Sequence, residues 1–195
     1  MPTKQLLLVR HGQPHEDHAL FPGDPPLHAT GHAQARGLAL RRLVTEPIDR
    51  IVCSPQQRAL DTAAPLSRLL GLEVEVIAGL AECDHGTPRY RSPETIRREE
   101  PHRWEEFLAS PPRFLGTDPD AFRATVMATF AALLDDAQGR TIAVFSHGMP
   151  IKMLVAHALR MADTETFSLD HCSVTRLVGS SLDNVRLRTL NESTP

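Results

Sequence analysis

Short apolar runs alternate with amphipathic stretches along most of this chain. Strand-like runs lie at 5–9, 50–53, 73–77 and 141–146. Segments with apolar residues at helical spacing run from 30 to about 45, from 55 to 70, from 118 onward and from 150 to 160. Two later strand-like runs, at 173–178 and 185–190, are expected to pair as a hairpin. This alternation predicts a layered α/β fold with a largely parallel sheet.

Helix boundaries are suggested by residues that cap helices well. Thr30 and Ser54 suit N-caps, and Gln57 would complete a capping box with Ser54. Gly71 suits the end of the second helix, and Asp118 suits the start of the third long one.

The segment 85–117 differs from this pattern because it is rich in Pro, Arg and Glu. It contains Tyr90 and Trp104, the single Tyr and the single Trp of the chain. Two short helices around Pro101 are expected there. We interpret 85–117 as a helical lid inserted into a single domain that spans 1–195.

Composition excludes several classes of partner. The 195 residues are 41% hydrophobic and 23% charged, with a formal net charge of −3. These values are typical of a globular protein with no general attraction to nucleic acid or anionic membranes. No apolar run is long enough for a membrane span, no signal-peptide pattern is present, and three widely spaced cysteines suit a reducing compartment. We therefore expect a cytoplasmic protein, and an apolar patch near the last strands would suit a homodimer.

Charged and imidazole side chains follow three of the predicted strands. Arg10 and His11 end the first, Arg58 begins the helix after the second, and His147 ends the strand at 141–146. Ligands of parallel α/β sheets bind beyond the carboxyl ends of the strands, where helix N-termini also favour anions. Two arginines and two histidines gathered there predict a phosphate pocket.

A histidine in such a pocket offers chemistry that an arginine cannot. The neutral imidazole can attack phosphorus through one nitrogen while the other donates to a fixed acceptor. The leaving oxygen then needs a proton, and Glu82 and Asp84 both follow the strand at 73–77. The residues alone leave the choice between these two carboxylic acids open.

Four sequence blocks carry a resemblance to a known family. "LVRHGQ", "CSPQQRALDTA", "LAECDHG" and "AVFSHGMPI" resemble, in order, the signature blocks of the histidine phosphatase superfamily, the phosphoglycerate-mutase-like proteins. The resemblance implies a three-layer α/β/α sandwich and a small phosphate ester as substrate, with no metal or other cofactor. It also implies that His11 becomes phosphohistidine, that Arg10, Arg58 and His147 bind the phosphoryl group, and that Glu82 is the proton donor.

The chain departs from the family pattern beside two of these blocks. Gln13 ends the first block and follows RHG, where many members have Glu or Ser–Glu, and Gln13 and Gly148 are the remaining candidates for phosphate contacts. The usual "WEG" after the acid block is replaced by "TPRYRS". Arg89 and Arg91 in this replacement are candidates for contact with a second anionic group. The substrate is not identified by the sequence.

Three other functions compete with a phosphatase. A mutase would return the phosphoryl group to its substrate, and a non-catalytic protein would bind a phospho-ligand on the same fold. The ten histidines also suggest a metal site as an alternative, because His15 and His18 are close in sequence and His28 and His32 are four residues apart. No HExxH or comparable ligand set accompanies them, which disfavours metal catalysis.

Overall fold

A computed structural model describes residues 3–17, 19–162, 164 and 166–193. Within these ranges six strands form one sheet in the order β3-β2-β4-β1-β5-β6. Their bounds are Lys4–Arg10 (β1), Arg50–Cys53 (β2), Val74–Val76 (β3), Thr141–Ser146 (β4), Val174–Gly179 (β5) and Arg186–Glu192 (β6). The first four strands run parallel, and β5 is antiparallel to both of its neighbours. The predicted mostly parallel sheet and the β5–β6 hairpin are confirmed.

Seven helices accompany the sheet in the described ranges. Their bounds are Ala29–Leu38 (α1), Gln57–Leu70 (α2), Pro93–Glu99 (α3), Trp104–Ala109 (α4), Pro111–Phe114 (α5), Pro119–Asp135 (α6) and Gly148–Leu159 (α7). α1 continues as a π-helical turn over Ala39–Leu43, and 3-10 turns lie at Ala78–Leu80, Pro101–Arg103 and Leu182–Asn184. No helix in this part of the chain has the length and apolarity needed to cross a bilayer.

Alternating side chains of the strands build two cores, one on each face of the sheet. Leu6 and Leu8 of β1 pack with α6 and α7, whereas Leu7 and Val9 pack with α1 and α2. All four side chains are fully buried, as the period of two in a strand between two helical layers requires. The fold is therefore the three-layer α/β/α sandwich that the sequence predicted.

The start of α1 corrects one predicted helix cap. α1 begins after His28, whose Nδ1 accepts from the Thr30 backbone N–H at 3.2 Å, so Thr30 lies inside the helix. The reason is tertiary, because the His28 N–H donates to the Gln13 carbonyl at 2.9 Å and holds the chain extended up to that residue. Gly71 in the left-handed region (φ 67°) and Asp118 at the start of α6 end and begin their helices as predicted.

The predicted capping box of Ser54 and Gln57 is wrong. The Ser54 N–H donates to the Phe145 carbonyl at 2.9 Å and extends the ladder between β2 and β4. α2 begins only at Gln57, after Gln56, which gives it no side-chain cap. Ser54 is thus kept in the sheet, and its hydroxyl faces the ends of the strands.

The lid segment, residues 85–117, has its own small apolar cluster. Ile96, Phe107 and Phe114 are buried together and lie apart from the two cores on the sheet. Three short helices and the 3-10 turn at Pro101–Arg103 replace the two helices that were expected. The grouping of all residues into one domain stays a prediction.

Candidate active site

The ends of three adjacent strands form the base of the site. β4 lies between β1 and β2, with Arg10 opposite Ser146 and Cys53 opposite Phe145. The His11 N–H then donates to the Ser146 carbonyl at 3.0 Å, so the sheet pairing continues past β1. The rings of His11 and His147 are consequently held with their centroids 5.1 Å apart.

His11 is fixed in one orientation and one tautomer. Its Nδ1 is 2.8 Å from the Gly12 carbonyl oxygen. Because a carbonyl can only accept, Nδ1 carries the proton, and Nε2 keeps a free electron pair. Burial lowers the pKa of His11 well below its usual 6.5, and the nearby Arg58 and His147 lower it further. The imidazole is therefore neutral, as a nucleophile must be.

Close backbone packing holds the loop that carries this acceptor. The Gly12 N–H donates to Thr62 Oγ1 at 2.9 Å, and that hydroxyl donates to the Arg58 carbonyl at 2.7 Å. Gly31 of α1 lies so near that a Cβ there would be 2.1 Å from the Gln13 carbonyl oxygen. Only glycine permits this approach, so α1 presses directly on the loop after β1.

His147 is fully buried and is held through its Nε2, which lies 2.7 Å from Ser54 Oγ. Its Nδ1 is buried without a hydrogen-bond partner. Burial lowers the pKa of His147 well below 6.5, with further lowering by Arg58 and Arg10. When the Ser54 hydroxyl donates to Nε2, the proton resides on Nδ1, which then serves as a donor.

Arg58 is a buried guanidinium whose side-chain hydrogen bonds all go to Asp84. Its Nη2 donates to both carboxylate oxygens of Asp84, at 2.8 and 3.0 Å, and its Cζ lies 4.8 Å from the centre of the Tyr90 ring. Its Nε and Nη1 have no hydrogen-bond partner, although Nη1 lies 3.6 Å from an oxygen of Asp24.

Four buried nitrogens of the site share this lack of a partner: Arg10 Nε, Arg58 Nε, Arg58 Nη1 and His147 Nδ1. Arg10 is positioned by donation from Nη1 to the Leu169 carbonyl. A buried donor without an acceptor costs about 1–3 kcal/mol. Phosphoryl oxygens beside His11 would satisfy several of these donors together, which is the behaviour of an anion site.

Glu82 and Asp84 lie in different environments. Glu82 accepts from the Cys83 N–H at 2.9 Å and from the Met149 N–H at 3.1 Å. Burial raises the pKa of Glu82, and the Asp84 charge raises it further, against the lowering by these hydrogen bonds. Asp84 is instead paired with Arg58. Glu82 is therefore the carboxyl group better suited to carry a proton.

Gln56 connects the two acids. Its Oε1 accepts from the Glu82 N–H at 2.7 Å, and its Nε2 donates to Asp84 Oδ1 at 2.8 Å. One buried amide thereby sets the positions of the proton-carrying acid and of the carboxylate that holds Arg58. The sequence analysis missed Gln56, although it lies inside a recognised block.

The sequence analysis also missed His171 and Tyr90. The His171 ring centre lies 5.5 Å from that of His11, and burial together with Arg10 lowers the pKa of His171 to about 3. No local pattern indicates this residue, because it reaches the site only when the chain before β5 passes β1. Tyr90 was noted only as part of the lid.

An active-site cleft of about 460 Å³ opens in front of these groups. Arg10, His11, Arg58, Glu82 and Gly148 line it, so the structure brings these predicted residues together. Burial of His147 places that side chain directly beneath, next to His11.

Two residues that were predicted to contact the substrate do not line the cleft. Gln13 does not line it, and its backbone pairs with Gln34 Oε1 and with the His28 N–H. Arg89 likewise lies outside the cleft, whereas Arg91 is part of its wall.

Three of the histidines considered as metal ligands, His15, His28 and His32, do not line this cleft. The His15 ring packs against His28 with a centroid distance of 5.1 Å, and His18 lies outside the described residues. Among the residues that the structure describes, no group of three or more His, Cys, Asp or Glu side chains is arranged to hold a metal ion.

Comparison with known proteins places this site in a family context. Residues 6–193 match the model of the histidine phosphatase superfamily (branch 1). Bifunctional protein Rv2228c of Mycobacterium tuberculosis is 35% identical over 173 residues, covering 81% of this chain but 44% of the relative. The chain thus spans less than half the length of this relative. Probable phosphoglycerate mutase GpmB of Photorhabdus laumondii is 28% identical over 181 residues, 89% of this chain and 84% of the relative.

Solved structures share the fold over nearly the whole chain. Mycobacterial glucosyl-3-phosphoglycerate phosphatase Rv2419c has a TM-score of 0.73 at 24% identity, covering 98% of this chain and 100% of that one. A putative alpha-ribazole-5'-P phosphatase of Escherichia coli has the same TM-score and identity, with 98% and 99% coverage. At this identity the likeness establishes the architecture.

Proposed function

The chain belongs to the histidine phosphatase superfamily, and we propose that it hydrolyses the phosphate monoester of a small metabolite through a phosphohistidine on His11. One observation carries the proposal. Nε2 of His11, free to attack, lies within a group of buried nitrogens without partners that belong to Arg10, Arg58 and His147.

In the first step, Nε2 of His11 attacks phosphorus while the bond from phosphorus to the ester oxygen breaks. Glu82 gives its proton to the departing oxygen, so the leaving group departs as an alcohol. The guanidinium groups of Arg10 and Arg58 and the His147 ring donate to the three phosphoryl oxygens as their charge is redistributed. The Gly12 carbonyl keeps the proton on Nδ1 and stabilises the charge that the ring acquires.

In the second step, water takes the place of the alcohol. Glu82, now a carboxylate, accepts a proton from the water as its oxygen attacks phosphorus and the Nε2–P bond breaks. Inorganic phosphate leaves, Glu82 is again protonated and His11 is again neutral. The chain's own side chains supply every proton transfer in this scheme, so metal is not required by the proposal.

A mutase remains the second candidate, favoured by the similarity to the probable phosphoglycerate mutase. In that reaction the phosphoryl group of His11 would pass to a substrate hydroxyl instead of to water. Phosphate release from 3-phosphoglycerate, compared with formation of 2-phosphoglycerate, separates the two reactions. A non-catalytic phospho-ligand protein would do neither.

The test is phosphate release from p-nitrophenyl phosphate by the purified chain, with His11→Asn as the deficient variant. We expect a loss of roughly 10⁴-fold or more in kcat for this substitution. His102→Asn is the matched control, since His102 is exposed in the lid segment and does not line the cleft. Rapid quenching with ³²P-labelled substrate should trap an acid-labile, base-stable phosphoryl group on the protein that retains His11, and none on the His11→Asn variant.

Three results would count against the proposal. Activity that survives His11→Asn contradicts the nucleophile, and activity abolished by EDTA contradicts side-chain chemistry without a metal. Binding of inorganic phosphate with no turnover of any ester would favour the non-catalytic alternative.

A further inference from the structure

The active-site cleft has two chemically different ends. One end holds the guanidinium and imidazole groups that surround His11. The other is walled mostly by apolar side chains from the lid segment, from α7 and from the chain before β5. These are Trp104, Phe107, Leu108, Pro111, Leu115, Met149, Phe167 and Leu169. The leaving group of a phosphate ester bound at His11 must lie against this second wall.

Aromatic rings give the lid side of the wall a defined shape. Trp104 stacks on Phe107 with centroids 5.4 Å apart and an interplanar angle of 27°. Phe107 in turn meets Phe114 edge-on at 5.5 Å. Rings packed in this way are held by one another, and those of Trp104 and Phe107 line the cleft with aromatic surface, against which an aromatic group on the ligand can pack.

Charged residues of both signs line this end. Arg91, once a candidate for a second anionic group, donates to Glu100 at 3.0 Å and stacks over the Phe114 ring at 4.8 Å. Glu94 and Lys152 also line the cleft, with one charge of each sign. A second phosphate or carboxylate on the substrate therefore meets no excess of positive charge here, whereas an uncharged apolar group displaces water favourably.

We propose that the substrate is the phosphate monoester of an uncharged alcohol that carries an aromatic ring. This inference rests on the proposed function, because it assumes that the phosphoryl group lies at His11. The volume of about 460 Å³ is within the range of small-molecule pockets and accommodates such an alcohol beside the phosphoryl group. Small substrates with a second anionic group, such as 3-phosphoglycerate, are disfavoured by the same wall.

The test compares esters whose leaving alcohols have similar chemical reactivity. We expect kcat/KM for 2-phenylethyl phosphate to exceed that for ethyl phosphate by about 10-fold or more, in line with burial of one ring. 3-Phosphoglycerate should fall below 2-phenylethyl phosphate by at least the same factor. A ratio near one, or a preference for 3-phosphoglycerate, overturns the proposed substrate class, while release of phosphate from p-nitrophenyl phosphate would still support the proposed function.

A Trp104→Ala variant tests the wall itself. The ratio of the two kcat/KM values cancels differences in the amount of folded enzyme, and it should fall at least 3-fold in this variant. Leu159→Ala is the control, because Leu159 is an exposed apolar residue at the end of α7 outside the cleft. An unchanged ratio in Trp104→Ala overturns the proposal.

Binding is measured separately from turnover. Trp104 is the single tryptophan, so its fluorescence reports directly on this wall in the His11→Asn variant. 2-Phenylethyl phosphate should change its emission at lower concentration than ethyl phosphate does. Should no ester be hydrolysed, the proposed function fails, and equal titrations of the two esters would then also reject the aromatic substrate.

Discussion

The phosphoryl end of the cleft and its lid wall are built in opposite ways. At the phosphoryl end, His11, Arg58 and His147 are at most 4% exposed, and contacts between residues distant in sequence hold them. The bond between His147 and Ser54 spans 93 positions. The lid wall instead comes mostly from one segment with its own small cluster. The comparison teaches that buried charged groups are held in place by contacts across the sheet. The shape of the site for the leaving group, in contrast, can be supplied by a local insertion.

Ion pairs show the same contrast. Asp84 holds Arg58 with both groups buried, so removal of either partner would leave an uncompensated charge. In the lid segment, Arg103 pairs with Glu100 and Glu106 one turn away on the surface. Such exposed pairs contribute little to stability, because water and salt screen them. Substitutions at the two ends should therefore differ in kind as well as in size.

After His11→Asn, the largest expected effect is that of Glu82→Gln at the phosphoryl end. Loss of the proton donor should reduce kcat/KM, which reports the steps up to phosphorylation of His11, by roughly 10²–10⁴-fold for 2-phenylethyl phosphate. The kcat/KM for p-nitrophenyl phosphate should fall much less, because its phenolate departs without a proton. Steady-state kinetics on the two esters measures the difference.

Asp84→Asn distinguishes the two acids. It should slow both esters by similar factors, because it loosens Arg58, which every substrate uses. Since the Asp84 charge helps to raise the pKa of Glu82, the alkaline limb of the rate profile should also move to lower pH. If Asp84→Asn shows the dependence on leaving group and Glu82→Gln does not, Asp84 is the proton donor.

A further prediction concerns how the stability of the fold depends on pH. Burial lowers the pKa values of His11, His147 and His171, the last to about 3. Below pH 6.5 these histidines therefore bind protons in the unfolded chain but not in the folded protein, so the free energy of unfolding decreases as the pH falls. Each of these histidines removes stability on the order of 1 kcal/mol between pH 7.5 and 5.5. The raised pKa of Glu82 acts in the opposite direction and offsets part of this loss.

Urea unfolding at several pH values measures this loss of stability, and the loss should be smaller by about 1 kcal/mol in His171→Asn. A variant of an exposed histidine, His102→Asn, should leave the pH dependence as it is. A free energy of unfolding that stays constant from pH 7.5 to 5.5 would contradict the buried neutral imidazoles.

The smallest global effect is expected in the lid segment. Ile96 is fully buried in the lid cluster, whereas Leu7 is fully buried beneath α1 and α2. Leu7→Ala should lower the free energy of global unfolding by about 2–5 kcal/mol. Ile96→Ala should change it by under about 1 kcal/mol and should instead speed hydrogen exchange in α3–α5, because a small separate cluster can open locally.

Urea unfolding and hydrogen exchange are measured on both variants. Equal losses of global stability would show that the lid unfolds with the sheet, and the comparison between the two ends would then fail.

Much of this architecture follows from the sequence alone. Apolar runs placed β1, β2 and β4 close to their observed positions, because a strand buried between two layers must be almost wholly apolar. The runs that placed β3, β5 and β6 mix polar and apolar residues. The same reasoning placed Arg10, His11 and His147 at one edge of the sheet, since parallel strands end together. Glu82 and Asp84 were found as a pair that only the family resemblance told apart, because their sequence neighbours do not reveal which of them meets Arg58.

Other features were decided only by the tertiary structure. Ser54 is a residue type that often caps helices, yet pairing between β2 and β4 keeps it in the sheet. There its hydroxyl forms the hydrogen bond that positions His147. His171 adjoins His11 because β5 runs beside β1, and Gln13 stays away because its backbone is bound by α1 and the residue before it. Local pattern determines which segments are strands and helices. Partners distant in sequence determine which polar groups each side chain meets, and with them the charge and protonation of the site.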